Sequence, residues 1–140
     1  MKIILENNAN QKDTEVIKNG LKEYNKQFSD ADNHEDLSVF LRDENNNVIG
    51  GLIGGTYWDW LHIDALWLSK EARHKGYGNQ LLQKAENEAI KRGCNHAHLD
   101  THDFQAVEFY KKNGYTICGQ LDDLPKGYNR YLLKKDLQTE

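Results

Sequence analysis

The chain of 140 residues is poor in proline and cysteine, with one of the former and two of the latter. Cys94 and Cys118 lack CxxC spacing, which excludes a disulfide framework and a zinc signature, so both are expected to be packing thiols. No apolar run approaches the roughly 20 residues of a membrane span. The first residues lack a long apolar segment with a small-residue cleavage site, so no secretory signal is visible and a cytoplasmic location is expected.

The chain also has fewer basic than acidic residues, with 18 Lys and Arg against 22 Asp and Glu. The resulting net charge of -4 makes nucleic acid a poor main partner and suits a cationic small molecule. The chain does have 38% hydrophobic and 29% charged residues, a balance typical of a soluble globular protein. At this length we expect a single domain over residues 1–140 with one core.

The first half of the chain predicts one strand, one helix and three further strands. The apolar letters MKIILE, residues 1–6, indicate a short strand. A helix is predicted after Asp13 from apolar residues at helical spacing, namely Val16, Ile17, Leu21, Tyr24 and Phe28. A polar segment, 29–36, separates this helix from a hairpin around Asn45–Asn47. A third run, Trp60–Ser69, extends the hairpin into a meander.

The second half of the chain predicts two helices and three strands. From Tyr77 an apolar stripe with helical spacing runs to Arg92 and Gly93, which supply a C-terminal cation and a glycine stop. HAHLD indicates a strand, QAVEFYKKNG a short helix ended by Gly114, and YTICGQL and YNRYLLKKDL two closing strands. The order β, α, β, β, β, α, β, α, β, β indicates an α+β domain around one mixed sheet.

A glycine turn follows three basic or ionisable residues, because Arg73, His74 and Lys75 stand directly before Gly76-Tyr77-Gly78 at the start of a predicted helix. Free N–H groups and the positive end of the helix dipole make such a start attractive to phosphate oxygens. The P-loop pattern is absent, and the dinucleotide-binding GxGxxG pattern fails because Leu81 stands in place of its third glycine. The glycines alone are equally consistent with a purely structural turn.

The glycine turn belongs to a longer pattern. LWLSKEARHKGYGNQLL resembles the acetyl-CoA signature of the GNAT superfamily of N-acyltransferases, Arg or Gln-x-x-Gly-x-Gly or Ala, with Arg73, Gly76 and Gly78 at its positions. AVEFYKKNGY, residues 106–115, resembles the family's second signature, an Ala-x-x-Phe-Tyr helix followed by glycine and an aromatic residue. The resemblance implies a mixed, mostly antiparallel sheet of about six or seven strands, flanked by helices, with a V-shaped splay between its central strands.

The resemblance also implies acetyl-CoA as a co-substrate. The N–H groups of the Arg73–Asn79 turn would surround its pyrophosphate, and the backbone of β-strand residues 66–68 would pair with its pantetheine as an added strand does. Asp103 stands where many family members carry an asparagine for the pantetheine. The residues so implied for the cofactor are Leu66, Trp67, Leu68, Arg73, His74, Lys75, Gly76, Tyr77, Gly78, Asn79 and Asp103.

A candidate general base lies on the predicted strand Trp60–Ser69. His62 and Asp64 are two residues apart, so they point to the same face of that strand. By the family pattern, His62 falls where some members carry a catalytic glutamate. Histidine accepts a proton nearer neutral pH than aspartate does, so His62 ranks ahead of Asp64 as the base. The alternatives are a pair that fixes strand geometry, or a surface that binds the acceptor's positive charge.

Tyr110 matches the family tyrosine that protonates the departing thiolate, and a role in core packing is its alternative. The neighbouring Phe109 is expected in the core. Cys94 and Cys118 lie outside both signatures, so direct attack in a ternary complex is expected rather than an acyl-enzyme. The family implies that a strand N–H near Leu66 stabilises the oxyanion.

A metal site is the rival interpretation of HAHLDTH, in which four metal-type ligands alternate and would share one strand face, namely His96, His98, Asp100 and His102. No second cluster of ligands accompanies them in the sequence. No metal is therefore expected, and a metal-dependent hydrolase is the less favoured function.

The expected function is acetyl transfer from acetyl-CoA to a primary amine, with a small cationic amine slightly favoured by net charge. Tyr57, Trp58 and Trp60 either wall an acceptor pocket or pack within the hairpin. A non-catalytic acyl-CoA-binding sensor is the alternative from a different class. No nucleic acid and no membrane partner is expected. Homodimers are common in the family, and the sequence does not disclose an interface.

Overall fold

The structure, a computed structural model, describes residues 1–29 and 33–137. It divides into two compact units, Met1–Asp32 and Asn33–Glu140, and each is described by itself. The single domain expected over residues 1–140 stays a prediction. Part of the polar segment predicted at 29–36, residues 30–32, lies outside the described residues.

The first unit contains one helix, α1, over Gln11–Asn25. It begins before Asp13 because Asn10 is its N-cap, with Asn10 Oδ1 accepting a hydrogen bond from the Lys12 N–H at 2.8 Å. The strand expected at residues 1–6 is wrong, since the structure assigns no strand there. A strand exists only with a ladder partner, and none of the sheet pairings found in the described residues includes residues 1–6.

The second unit is built on a sheet of six strands in the order β1-β2-β3-β4-β6-β5. Its strands are β1 Glu35–Arg42, β2 Val48–Tyr57, β3 Trp60–Leu68, β4 His96–His102, β5 Thr116–Asp122 and β6 Asn129–Asp136. Only β3 and β4 run parallel among these pairs, and the others are antiparallel. The mixed, mostly antiparallel sheet expected from the sequence is confirmed.

Two α-helices accompany this sheet, α2 over Tyr77–Lys91 and α3 over Val107–Lys112. The apolar stripe of α2 is buried against β1, β2 and β3, and its fully enclosed members are Leu81, Leu82, Ala85 and Ala89. Gly93 ends the helix at a φ of 89°, as the sequence predicts. The core therefore lies between α2 and one face of the sheet.

The opposite face of the sheet carries exposed and half-buried side chains of three strands. Along β3, β4 and β6 the buried Leu61, Ala97 and Leu133 alternate with residues that point the other way. We call this second surface the histidine face, and its members include Trp60, His62, His96, His98, Leu132 and Lys134. Within the described residues, no helix is both long and apolar enough to cross a membrane.

Candidate active site

His62 and Asp64 meet on β3. The two atoms that touch are His62 Nδ1 and Asp64 Oδ1, which lie 2.7 Å apart. The imidazole is half-buried, whereas the carboxylate is exposed. A carboxylate at Nδ1 fixes the orientation of the ring and leaves Nε2 available to a ligand.

A β-bulge on β3 coincides with this pair. Ala65 pairs with Ile53 and Ile63 pairs with Gly54, so Asp64 is the extra residue between them. The burial pattern changes phase at the same point, from Leu61 and Ile63 before the bulge to Leu66 and Leu68 after it. Bulges are frequent beside active sites because they redirect side chains and interrupt pairing.

His98 on β4 is a third member of the site, for which the sequence pattern indicated only a role as a metal ligand. Its ring centroid lies 4.5 Å from that of His62 and 5.3 Å from that of Trp60. Burial lowers the pKa of His98, the neighbouring His62 lowers it further, and Asp100 opposes both. His98 is therefore favoured in its neutral form next to His62.

The central strands separate after the histidines. β3 pairs with β4 only from Trp60 to Ile63, against His96 to Leu99. Beyond that point β4 continues on β6 alone, while β3 continues on β2 alone. The far side of residues 66–68 on β3 thus has no strand partner among the described residues. This is the V-shaped splay expected from the sequence, and it leaves an open backbone edge.

The turn before α2 presents the expected N–H groups. The first backbone hydrogen bond of the helix runs from the Gln80 N–H to the Gly76 carbonyl at 3.3 Å. The N–H groups of Tyr77, Gly78 and Asn79 therefore have no acceptor within the helix. Gly76 has a φ of 83°, and an added Cβ there would meet nothing within 4 Å, so the space in front of the helix is open.

Arg73 ties this turn to the end of β3. Its Nε donates a hydrogen bond to the Leu68 carbonyl at 3.1 Å, so the side chain holds the turn beside the splay. His74 also has a positive φ, 63°, while Lys75 is exposed. Together with the helix dipole, the cations of Arg73 and Lys75 make the start of α2 electropositive.

The two sequence signatures touch each other. An ideal Cβ on Gly78 would lie only 3.2 Å from Phe109 Cε1, so α3 packs directly on the first turn of α2. Asn113 Nδ2 donates to Asn79 Oδ1 at 2.9 Å across the same contact. Contacts of Phe109 and of Asn113, the C-cap of α3, thus hold Tyr110 in place relative to the glycine turn.

Tyr110 is buried, with 5% of its surface exposed, and its ring lies 5.1 Å from Phe109 and 5.7 Å from Tyr115. Burial raises the pKa of Tyr110 to about 12. Tyr115 in turn donates a hydrogen bond to the buried Glu86 at 2.9 Å. The phenol of Tyr110 therefore keeps its proton well above neutral pH.

The comparison with known families decides what this arrangement is. The Acetyltransferase (GNAT) family model matches residues 7–115. The chain belongs to the GNAT family. It is an acetyl-CoA-dependent acetyltransferase, as the two signatures predict.

Named relatives of this GNAT acetyltransferase agree with the match. Acetyltransferase Atu2258 of Agrobacterium fabrum is 35% identical over 136 residues, which are 96% of this chain and 98% of that protein. Blasticidin-S acetyltransferase of Streptomyces morookaense is 40% identical over 104 residues, or 74% of this chain and 76% of that protein. A solved acetyltransferase from Bacillus cereus is 38% identical with a TM-score of 0.88, covering 96% of this chain and 98% of that one.

Asp103 occupies a structural position in the GNAT acetyltransferase. Its Oδ2 accepts a hydrogen bond from the Asn129 N–H at 3.0 Å, and its own N–H donates to the Asn129 carbonyl at 3.0 Å. The carboxylate thus extends the contact between the ends of β4 and β6. A contact between Asp103 and the pantetheine stays a prediction.

Three of the four alternating metal-type side chains on β4 contact other residues. His96 Nδ1 lies 2.8 Å from Asp136 Oδ1, Arg130 donates to Asp100 at 2.6 Å, and His102 Nδ1 lies 3.1 Å from Gln105 Oε1. Within residues 1–29 and 33–137, no group of three or more His, Cys, Asp or Glu residues is arranged to hold a metal ion. The tract therefore contributes side chains to the histidine face of this acetyltransferase.

A cavity of about 430 Å³ opens on the histidine face beside His98. Its walls include Tyr57, Trp58 and Trp60 from the β2–β3 turn, together with Lys134 on β6 and Cys118 on β5. Tyr57, Trp58 and Trp60, for which the sequence allowed either an acceptor pocket or hairpin packing, thus line a cavity in the acetyltransferase. A small molecule is of the right size for this space.

Proposed function

We propose that the chain is an N-acetyltransferase, in which a primary amine attacks acetyl-CoA directly within a ternary complex. The observation that carries the proposal is the organisation of β3, which bears the His62–Asp64 pair at its start and an unpaired backbone edge at its end. Arg73 ties that edge to the open N-terminus of α2. One strand thereby links a base, a site for an extended thioester arm and a site for phosphates.

The amine must lose a proton before or during attack. A lysine-like amine is neutral in only about 1 part in 2,500 at pH 7, which costs roughly 4.6 kcal/mol. In the proposed mechanism His62 takes this proton at Nε2, because Asp64 occupies the Nδ1 side of its ring. The neighbouring His98 is favoured as a neutral ring, so it does not repel the imidazolium that forms.

The amine nitrogen then forms a bond to the thioester carbonyl carbon, and the carbon–sulfur bond breaks to release the thiolate of coenzyme A. The nitrogen gives up its second proton to solvent, which leaves the neutral amide. The oxyanion of the intermediate takes a strand N–H near Leu66. Burial raises the pKa of Tyr110 to about 12, whereas a thiol has an ordinary pKa of about 8.5. Proton transfer from Tyr110 to the thiolate is therefore uphill by roughly 5 kcal/mol. Tyr110 therefore donates a hydrogen bond to the sulfur, and the thiolate gains its proton from solvent.

The acceptor is proposed to be a small-molecule amine. The Streptomyces relative is named for blasticidin S, and the cavity beside His98 has the volume of a small molecule rather than an extended protein groove. The cytoplasmic location and the homodimer stay predictions.

Initial-rate kinetics test the ternary complex. Release of coenzyme A thiol is measured while acetyl-CoA and an accepted amine are varied together, and direct attack predicts double-reciprocal lines that intersect. Parallel lines would indicate an acyl-enzyme and contradict the mechanism. Tight acetyl-CoA binding with no thiol release for any amine would instead support the sensor alternative.

A further inference from the structure

Two features of the cavity on the histidine face bear on the ligand that it could bind, namely its aromatic walls and a lysine. Tyr57, Trp58 and Trp60 supply flat aromatic walls at one side. Opposite them stands Lys134, the one charged side chain among the described residues that line the cavity. Such a lining favours a flat or branched apolar body and a single anionic group.

Lys134 is available for a ligand. It is exposed, and no ion pair of its ammonium group is found within the part of the chain that the structure describes. The carboxylates nearest along the face have other partners, since Asp100 binds Arg130 at 2.6 Å and Asp136 contacts His96 at 2.8 Å. Among the described residues, the Lys134 ammonium therefore has no ion-pair partner at the wall of the cavity.

Strand register places Lys134 in line with the base. His62 on β3 is the Cα partner of His98 on β4, and His98 is the Cα partner of Lys134 on β6. The three side chains thus form one row across the histidine face, with the His98 ring in the middle. Two strand spacings separate the Cα atoms of His62 and Lys134, or about 10 Å.

The two ends of this row differ in charge. The Asp64 carboxylate lies beside His62, where it attracts an ammonium group, and Lys134 at the other end attracts an anion. We propose that the cavity binds the acceptor, and that this acceptor is an amine with a flat apolar body and an anionic group, its nitrogen at His62 and its anion at Lys134. This inference rests on the proposed function and names its substrate class.

Cys118 allows occupancy to be measured without turnover. It lines the cavity and is exposed, whereas Cys94 is buried and burial raises the pKa of its thiol. Alkylation by iodoacetamide, followed by intact mass, therefore reports on Cys118. A ligand that fills the cavity slows this alkylation in the absence of acetyl-CoA.

The probes are three benzylamines of one shape: 4-(aminomethyl)benzoate, 4-methylbenzylamine and 1,4-xylylenediamine. We expect 4-(aminomethyl)benzoate to protect Cys118 at about fivefold lower concentration than 4-methylbenzylamine, whose para substituent is uncharged, because its carboxylate can form one solvated ion pair. The diamine is expected to protect least. Lys134→Glu is expected to reverse the order of the carboxylate and the diamine. Lys84→Glu, an exposed lysine on α2, makes the same charge change away from the cavity and is expected to leave the order unchanged.

The outcomes separate the two proposals. Protection in the expected order, reversed only by Lys134→Glu, supports the inference. No protection by any probe, or the same order in Lys134→Glu as in the unsubstituted protein, overturns it. Thiol release from acetyl-CoA with any primary amine is a separate readout, and its failure beside normal Cys118 protection would count against the proposed function alone.

Discussion

At the scale of the residue, the site depends on His62 and on two neighbours of its ring. Asp64 contacts Nδ1 of His62 at 2.7 Å, and the His98 ring lies 4.5 Å away, centroid to centroid. The sequence predicted His62 and Asp64 on one face from their spacing alone. It could not predict His98 beside them, because that contact depends on the register between β3 and β4, which lie in separate segments of the chain.

Replacement of His62 tests the base. We expect His62→Gln to lower turnover by about 10²- to 10⁴-fold, the range for loss of one general base, with acetyl-CoA affinity unchanged because His62 is outside the α2 turn. Thiol release and calorimetric titration measure the two effects. His96→Gln is the control, since His96 is tied to Asp136 at the edge of the same face. Equal turnover in His62→Gln and the unsubstituted protein would remove His62 from the mechanism.

At the scale of the element, the two sequence signatures lie on helices α2 and α3, which contact each other. Gly78 of α2 faces Phe109 of α3, and Asn79 accepts a hydrogen bond from Asn113. The glycine pattern and the helix start were predictable from local sequence. The bulge at Asp64 was not predicted, although the change of phase from Leu61 and Ile63 to Leu66 and Leu68 is its signal.

The contact between the helices predicts a coupled pair of substitutions. Gly78→Val is expected to lower the free energy of unfolding by about 1–3 kcal/mol, because its side chain overpacks against the Phe109 ring. Phe109→Leu in the same chain should recover part of that loss, giving a favourable coupling in a double-mutant cycle. Urea unfolding of the four proteins measures it. Additive effects of the two changes would show that α2 and α3 do not press on each other here.

At the scale of the whole molecule, the order of predicted elements and the family signatures predicted the fold class, whereas the net charge was a poor guide to the ligand. The mixed sheet, the splay and both later helices agree with the sequence, whereas the strand expected at residues 1–6 is wrong because an apolar run does not supply its own ladder partner. A net charge of -4 favoured a cationic acceptor. The cavity instead carries Lys134, which has no ion-pair partner among the described residues, because local charge is set by which strands meet.

The buried Tyr110 gives the whole protein an alkaline limit. Burial raises the pKa of Tyr110 from about 10 in the unfolded chain to about 12, so its contribution to stability is complete below pH 10 and is lost as the pH rises towards 12. This rise in the pKa of Tyr110 corresponds to about 3 kcal/mol. Tyr110→Phe should therefore show a flatter fall in unfolding free energy between pH 10 and 12 than the unsubstituted protein does. Tyr128→Phe, an exposed tyrosine, is the control, and parallel falls in all three proteins would contradict this assignment.

The central claim is that the turn before α2 binds the phosphates of acetyl-CoA, and calorimetric titration tests it most directly. Gly76 and Gly93 stand at opposite ends of α2 with φ of 83° and 89°, and an added Cβ meets nothing within 4 Å at either. Both therefore suffer the same backbone strain, about 1–2 kcal/mol, when replaced by glutamate. We predict that Gly93→Glu binds acetyl-CoA as the unsubstituted protein does and that Gly76→Glu shows no binding. Equal acetyl-CoA affinity in the two variants would contradict the account.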